Sequence, residues 1–266
     1  MNPYLPIRKV PLDYNGIGSS AYAVQMQKED PTAGNGWKEV GVVGNSYMLL
    51  SNEDVKNAAH QVAEECNIEF THDKTFFNGK QYVYSMKSPK VVGEIEKGDD
   101  VALGMLFWNS YDGSKSFGYS LMLFRLLCTN GMMSKDYFNV HRFKHEPKSE
   151  NWDENLEKVI NNVNSICNGN TTLDSLIHCF RKLSRSHVTV DELGNIRHNY
   201  LKELPTGLWG QIVDRFTRID ELKSENHTGW DLLNASTDLL WHKEKPTMTS
   251  YSQNQMIVDG LCKAVA

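Results

Sequence analysis

From Trp37 onward the chain alternates between two hydrophobic periods. Lys38-Glu39-Val40-Gly41-Val42-Val43 and Tyr47-Met48-Leu49-Leu50 have the apolar, β-branched and aromatic character of strands, on either side of a Gly44-Asn45 turn. Val55, Ala58, Ala59, Val62, Ala63 and Cys66 then recur at helical spacing. Ser51 stands three residues before Asp54, as in a capping box, so the pattern predicts an amphipathic helix from about Asn52 to Cys66. Strand character returns over 68–145, with Phe76-Phe77, an Asn78-Gly79 hairpin signal and Tyr82 to Met86. Further strands are expected at Val91–Ile95, Val101–Trp108, Phe117–Leu127 and Phe138–Lys144, separated by turns at Asp99-Asp100 and Tyr111 to Ser114.

After Pro147 the period becomes helical, at about Glu154–Ile166, Leu173–Leu183, Val190–Leu201, Leu208–Leu222, Trp230–His242 and Tyr251–Val265. The expected fold is therefore α+β: a mostly antiparallel, curved sheet with one packed helix, followed by a helical C-terminal half. Residues 1–36 hold Pro3, Pro6, Pro11, Pro31 and several glycines, which reads as an extended arm. The expected organisation is an arm over 1–36, a strand-rich core over 37–149 and a helical region over 150–266.

At 266 residues, 40% hydrophobic and 23% charged, the chain can bury a substantial core. The longest apolar run, Leu121 to Cys128, is interrupted by Arg125 and falls far short of the ~20 residues that span a bilayer. Arg8 and Lys9 are not followed by an apolar segment, so no secretory signal is expected and the cytoplasm is the expected location. Five cysteines without a C-x-x-C pair fit neither a disulfide framework nor a zinc ribbon, and the reading is five reduced thiols. The sequons at Asn170, Asn226 and Asn234 then carry no weight.

A net charge of −5 argues against a general grip on phosphate, but the charge is unevenly spread. Residues 71–149 hold 11 Lys and Arg against 8 Asp and Glu, whereas 150–266 hold 12 against 16. Over 115–148, Lys115, Arg125, Lys135, Arg142, Lys144 and Lys148 face only Asp136 and Glu146. A solvated basic face explains such an excess, and so does a phosphate-tracking site.

Three segments carry a more specific signal. They are Asn109-Ser110-Tyr111-Asp112-Gly113-Ser114, Arg125-Leu126-Leu127-Cys128-Thr129-Asn130-Gly131-Met132, and Thr228-Gly229-Trp230-Asp231-Leu232-Leu233-Asn234 continuing to Asp238. In order and separation they resemble the phage/plasmid-like proteins grouped as domain of unknown function 932, over about residues 37–266. The resemblance implies a protein of phage or another mobile element. Its motif residues here are Asn109, Asp112, Gly113, Cys128, Thr129, Asn130, Gly131 and Asn234, with Tyr111 where the family commonly has histidine.

Each motif also has a reading without activity. Asn109 to Ser114 has the chemistry of a tight turn, Cys128 to Gly131 that of a buried strand end running into a turn, and Asn234 shares a helical face with Trp230, Thr237 and Trp241. Cys128 with His141 or His145 could pair as nucleophile and base, but the sequence names no third group. His141 and His145 are four apart, which on a strand separates them by ~13 Å and argues against a shared metal. No catalytic residue, cofactor or metal is expected, and Gly16-x-Gly18 and Gly41-x-x-Gly44 lack the context of a nucleotide loop.

The leading expectation is a nucleic-acid-binding protein of phage recombination, of the single-strand annealing kind, working as a homo-oligomer without a membrane. Lys115, Arg125, Lys135, Arg142 and Lys144 would contact phosphates, interleaved with Phe117, Tyr119, Phe124, Tyr137 and Phe143, which strand packing also accounts for. The alternative is a protein-binding module that blocks a host enzyme or defence complex through the acidic helical half.

Overall fold

A computed structural model describes residues 1–14, 17–128, 130–138, 141–145, 150–167, 171–218, 227–242 and 247–266. The fold is α+β, with antiparallel sheets first and, among the described residues, seven helices mostly in the C-terminal half. One sheet has the order β1-β2-β3, from β1 (Ile7–Tyr14), β2 (Ile17–Gln27) and β3 (Trp37–Gly44). The other has the order β4-β5-β6-β7-β8, from β4 (Thr71–Phe77), β5 (Gln81–Glu94), β6 (Asp100–Ser110), β7 (Phe117–Arg125) and β8 (Asn130–Met133), and β9 (His141–Phe143) also pairs with β7.

The chain divides into two compact units. The first comprises Met1–Met86, Met105–Ser120 and Val140–Asn164; the second comprises Lys87–Gly104, Leu121–Asn139 and Ser165–Ala266. In the first, α1 (Asn52–Glu65) buries Val55, Ala58, Ala59, Val62 and Ala63, the face its spacing predicts. Its capping box forms as expected: the Ser51 hydroxyl accepts from the Asp54 N–H, and the Asp54 carboxylate accepts from the Ser51 N–H at 3.0 Å. α2 (Glu150–Cys167) begins in this unit.

The N-terminal residues correct the expectation of an arm. They form strands whose apolar residues enter the core, with Val24, Met26, Val40 and Val43 buried around Tyr111. Proline misled the reading because β1 is an edge strand, where a residue without an N–H is tolerated, and the ladder shifts register between Pro11 and Asp13. Tyr47 to Leu50 is not a strand. Its backbone groups are taken elsewhere: Lys9 Nζ donates to Tyr47 O, Met48 N to His145 O and Asn109 Nδ2 to Leu50 O.

In the second unit, α3 (Thr171–Arg185), α5 (Thr206–Arg218), α6 (Gly229–Trp241) and α7 (Met248–Ala264) form the helical core, with α4 (Val190–Asn199) against α7. α6 is central: it packs on α3, α5, α7 and β8, burying Trp230, Leu232, Leu233, Leu240 and Trp241. Cys179 of α3 and Cys262 of α7 are joined in a disulfide, with Cα atoms 5.7 Å apart. This overturns the reading of five free thiols. The two cysteines lie 83 residues apart, and only the packing of α3 on α7 brings them together. Cys66, Cys128 and Cys167 are not disulfide-bonded.

Candidate functional site

The apolar run that Arg125 interrupts is β7, and Arg125 is its last residue. Its Nε donates to both Asp99 oxygens at 2.7 and 3.0 Å, and its Nη2 donates to Asp99 Oδ2 at 2.7 Å. The indole N–H of Trp230 reaches the same Oδ2 at 2.8 Å. Burial pulls the guanidinium pKa down, but its hydrogen bonds and charge contact with Asp99 outweigh this and leave it raised. With only 15% of its side chain exposed, Arg125 is committed to Asp99 and leaves the set of expected phosphate contacts.

Three residues on, Cys128 is exposed, and Arg125 Nη1 lies 3.6 Å from its Sγ. His242, the C-cap of α6, places Nε2 3.1 Å from Cys128 O and 3.0 Å from Asn130 Oδ1. Two oxygen acceptors require that nitrogen to carry the proton, so it is no base for the thiol. Thr129 lies outside the described residues. Asn130-Gly131, expected as a turn, instead opens β8, fully buried and paired with the end of β7. Gly131 is needed for close approach: a Cβ there would lie 2.7 Å from the Trp241 ring.

The outer edge of β8 is satisfied by one side chain. Asn254 of α7 accepts from Met133 N at 2.9 Å and donates to Gly131 O at 2.8 Å, taking the place of a neighbouring strand. One turn further, Asp259 accepts from the Ser134 hydroxyl and from Lys135 N, and burial raises its pKa. Nothing in the helical period of α7 marked these polar residues, because their partners lie on β8 and just after it, more than 100 residues away.

Asn234 sits on α6 facing the motif of β7 and β8, and Asn130 Nδ2 lies 3.4 Å from its carbonyl. Asn234 Nδ2 donates to Trp230 O at 2.8 Å, whereas its buried Oδ1 has no hydrogen-bond partner among the described residues. Arg125, Cys128, Asn130 and Asn234 thus line one cavity of about 570 Å³, together with Arg215 and Arg218 of α5. Arg215 pairs with Asp238, and Arg218 with Asp214 at 3.0 Å.

The first motif falls in the other unit and is the β6–β7 turn. Asp112 Oδ1 accepts from Ser114 N at 3.0 Å, and Gly113 takes the positive φ of +70° that a turn of this kind needs. Tyr111 is buried, its hydroxyl accepts from Asn52 N at 3.1 Å, and burial pushes its pKa up, so it is built for packing. Asn109 donates to Leu50 O.

The remaining basic residues are exposed, but in different units. Lys135 is in the second. In the first, β9 pairs with β7 through Phe117↔Phe143, Gly118↔Arg142 and Tyr119↔His141, which brings Lys115, Arg142 and Lys144 to one end of that ladder. Alternation sends His141 and Phe143 inward, stacked on Tyr119 and Phe117 at 5.2 and 5.6 Å, and leaves Arg142 and Lys144 on the exposed side. The strand expected over Phe138–Lys144 shortens to His141–Phe143, with residues 139–140 outside the described ones. Of the interleaved aromatics, Phe117, Tyr119 and Phe124 are buried, which removes them as base-stacking platforms, Phe143 packs on Phe117, and Tyr137 is half-buried in the second unit.

His141 accepts from Asn162 Nδ2 at 2.7 Å, and His145 Nδ1 lies 2.9 Å from Met48 O. Among the described residues no group of three His, Cys, Asp or Glu could hold a metal ion, and no helix is long and apolar enough to cross a membrane.

These features define an α+β protein whose sequence motifs build a polar cavity in one unit and a strand turn in the other. The chain belongs to the domain of unknown function 932 family, whose profile matches residues 39–259. No curated protein and no solved structure matches the chain significantly.

Proposed function

We propose that the chain binds single-stranded nucleic acid through its phosphates, with Arg142 and Lys144 as the principal contacts and Lys115 beside them. The observation that carries this reading is the alternation of exposure from His141 through β9 to Lys144, the residue that follows the strand. It turns two cations two residues apart to the exposed side, while the rings of His141 and Phe143 pack inward. A pair at that spacing, about 6.5 Å, matches successive phosphates of an extended strand.

Since Phe117, Tyr119 and Phe124 are buried, the binding is electrostatic and tolerant of sequence rather than built on stacking. Annealing or recombination of a mobile element's DNA by a homo-oligomer is the role we assign to such a grip. The test is fluorescence anisotropy with a labelled single strand across a salt series. Native protein should bind at low salt, and replacing Arg142 and Lys144 by Ala should weaken binding for every sequence tried. Absence of affinity at low salt would pass the reading to the protein-binding alternative.

A further inference from the structure

We propose that the cavity lined by Arg125, Cys128, Asn130, Asn234, Arg215 and Arg218 is a nucleotide-binding site, taking a phosphate at its arginine rim and the exocyclic amine of a base at Asn234. It does not rest on the Arg142–Lys144 reading, because the cavity lies wholly in the second unit. Residues that the chain separates by more than 100 positions converge there, and about 570 Å³ is within the size range of small-molecule sites.

The rim supplies replaceable cations. Arg215 and Arg218 are 51% and 74% exposed; Asp214, the partner of Arg218, is an exposed carboxylate, whereas Asp238, the partner of Arg215, is half-buried, so Arg218 is the more readily released of the two. Exposed ion pairs of this kind contribute little to stability, so a phosphate can take over the guanidinium groups at small cost. Its planar, bidentate contact is also the stronger one. Asp231 is already used, because its carboxylate accepts from the N–H and hydroxyl of Thr228 at the start of α6.

The interior supplies an unused acceptor. Asn234 is 6% exposed and its Nδ2 is held by Trp230 O, which leaves Oδ1 without a hydrogen-bond partner among the described residues. A buried acceptor without a donor is unfavourable, and an incoming N–H relieves it. Anion-binding groups at the mouth and an acceptor inside call for a ligand that carries a phosphate and an N–H donor on one frame. A nucleotide with an amino-bearing base is that ligand, either free or as the phosphorylated end of a strand.

The test is calorimetric titration of the full chain at low salt with AMP, adenosine, inorganic phosphate and purine riboside 5′-monophosphate, which lacks the amino group. AMP should bind one-to-one. Phosphate, adenosine and the amine-free nucleotide should each bind at least about tenfold more weakly, as expected when a polar site meets a ligand that lacks its partner. Arg218→Glu should reduce AMP affinity by at least about tenfold, with only a small fall in the thermal midpoint from the lost exposed pair with Asp214. Gln211→Glu, at another exposed rim position, supplies the same repulsion if Arg218→Glu fails to fold. Replacing Arg142 and Lys144 by Ala should leave AMP binding unchanged.

A 5′-phosphorylated oligonucleotide that outcompetes AMP, while its hydroxyl-ended counterpart does not, would make the strand end the ligand. The proposal is overturned if neither AMP nor the phosphorylated end binds saturably at millimolar concentration, if phosphate binds as tightly as AMP, or if both rim variants bind like the native chain.

Discussion

Arg125 and Asp99 form a fork in which one guanidinium edge meets both carboxylate oxygens, with the indole of Trp230 donating to the same Oδ2. Asp99 therefore ties the end of β7 to α6. Arg125→Ala should leave that buried carboxylate partly unpaired and cost about 3–5 kcal/mol, measured by urea unfolding. Asp99→Ala combined with Arg125→Ala should cost much less than the two single changes added together, since the pair acts as one unit. Independent, additive losses would show that the fork is not what holds these elements.

A second prediction concerns the edge of β8. Asn254→Leu removes the amide that serves Gly131 O and Met133 N, leaving two buried backbone groups without partners at about 1–3 kcal/mol each. Amide hydrogen exchange at Met133 should accelerate in that variant. Unchanged exchange would mean that β8 does not depend on Asn254.

The disulfide gives a third. Labelling of denatured, unreduced protein should count three thiols, at Cys66, Cys128 and Cys167. Replacing Cys179 and Cys262 by Ser should lower stability by about 2–4 kcal/mol, the range for a bridge closing a long loop. A count of five thiols would contradict the bridge.

A fourth concerns pH. Burial lowers the pKa of His141 and His145, and the buried His145 Nε2 has no hydrogen-bond partner among the described residues, so the fold favours the neutral rings. The unfolded chain binds these protons more readily. Their contribution is therefore complete above the unfolded histidine pKa of about 6.5 and is lost as pH falls through the lowered folded values. The thermal midpoint should drop between pH 7 and 5, and less steeply after both histidines are changed to Gln. Equal slopes would remove the histidines as the cause.

Periodicity made the α+β order, the face and cap of α1, and the six described C-terminal helices legible, because each of those depends on residues a few positions apart; residues 219–222 of the helix expected over Leu208–Leu222 lie outside the described ones. Pairings between distant segments were not legible. The first 36 residues read as an arm because proline and glycine dominate locally, yet their apolar residues complete a core centred on Tyr111. Asn130-Gly131 reads as a turn in isolation, and becomes a strand because Arg125 lies opposite and Asn254 closes the far side. Of the motif residues, Arg125, Cys128, Asn130 and Asn234 share a cavity, whereas in the other unit Asp112 and Gly113 belong to a turn and Asn109 to the end of β6 before it. The cavity's Arg215 and Arg218 carried no motif signal.

Nucleic-acid binding is tested most directly by the salt dependence of single-strand affinity in the variant with both Arg142 and Lys144 replaced by Ala. Both residues are exposed, so the thermal midpoint should be unchanged. Affinity should fall for all sequences alike, and the slope of log affinity against log salt should flatten by ~0.7 for each phosphate that the variant no longer neutralises. A slope and affinity equal to those of the native chain, or a native chain that does not bind single strands at low salt, would contradict the phosphate-binding role of β9.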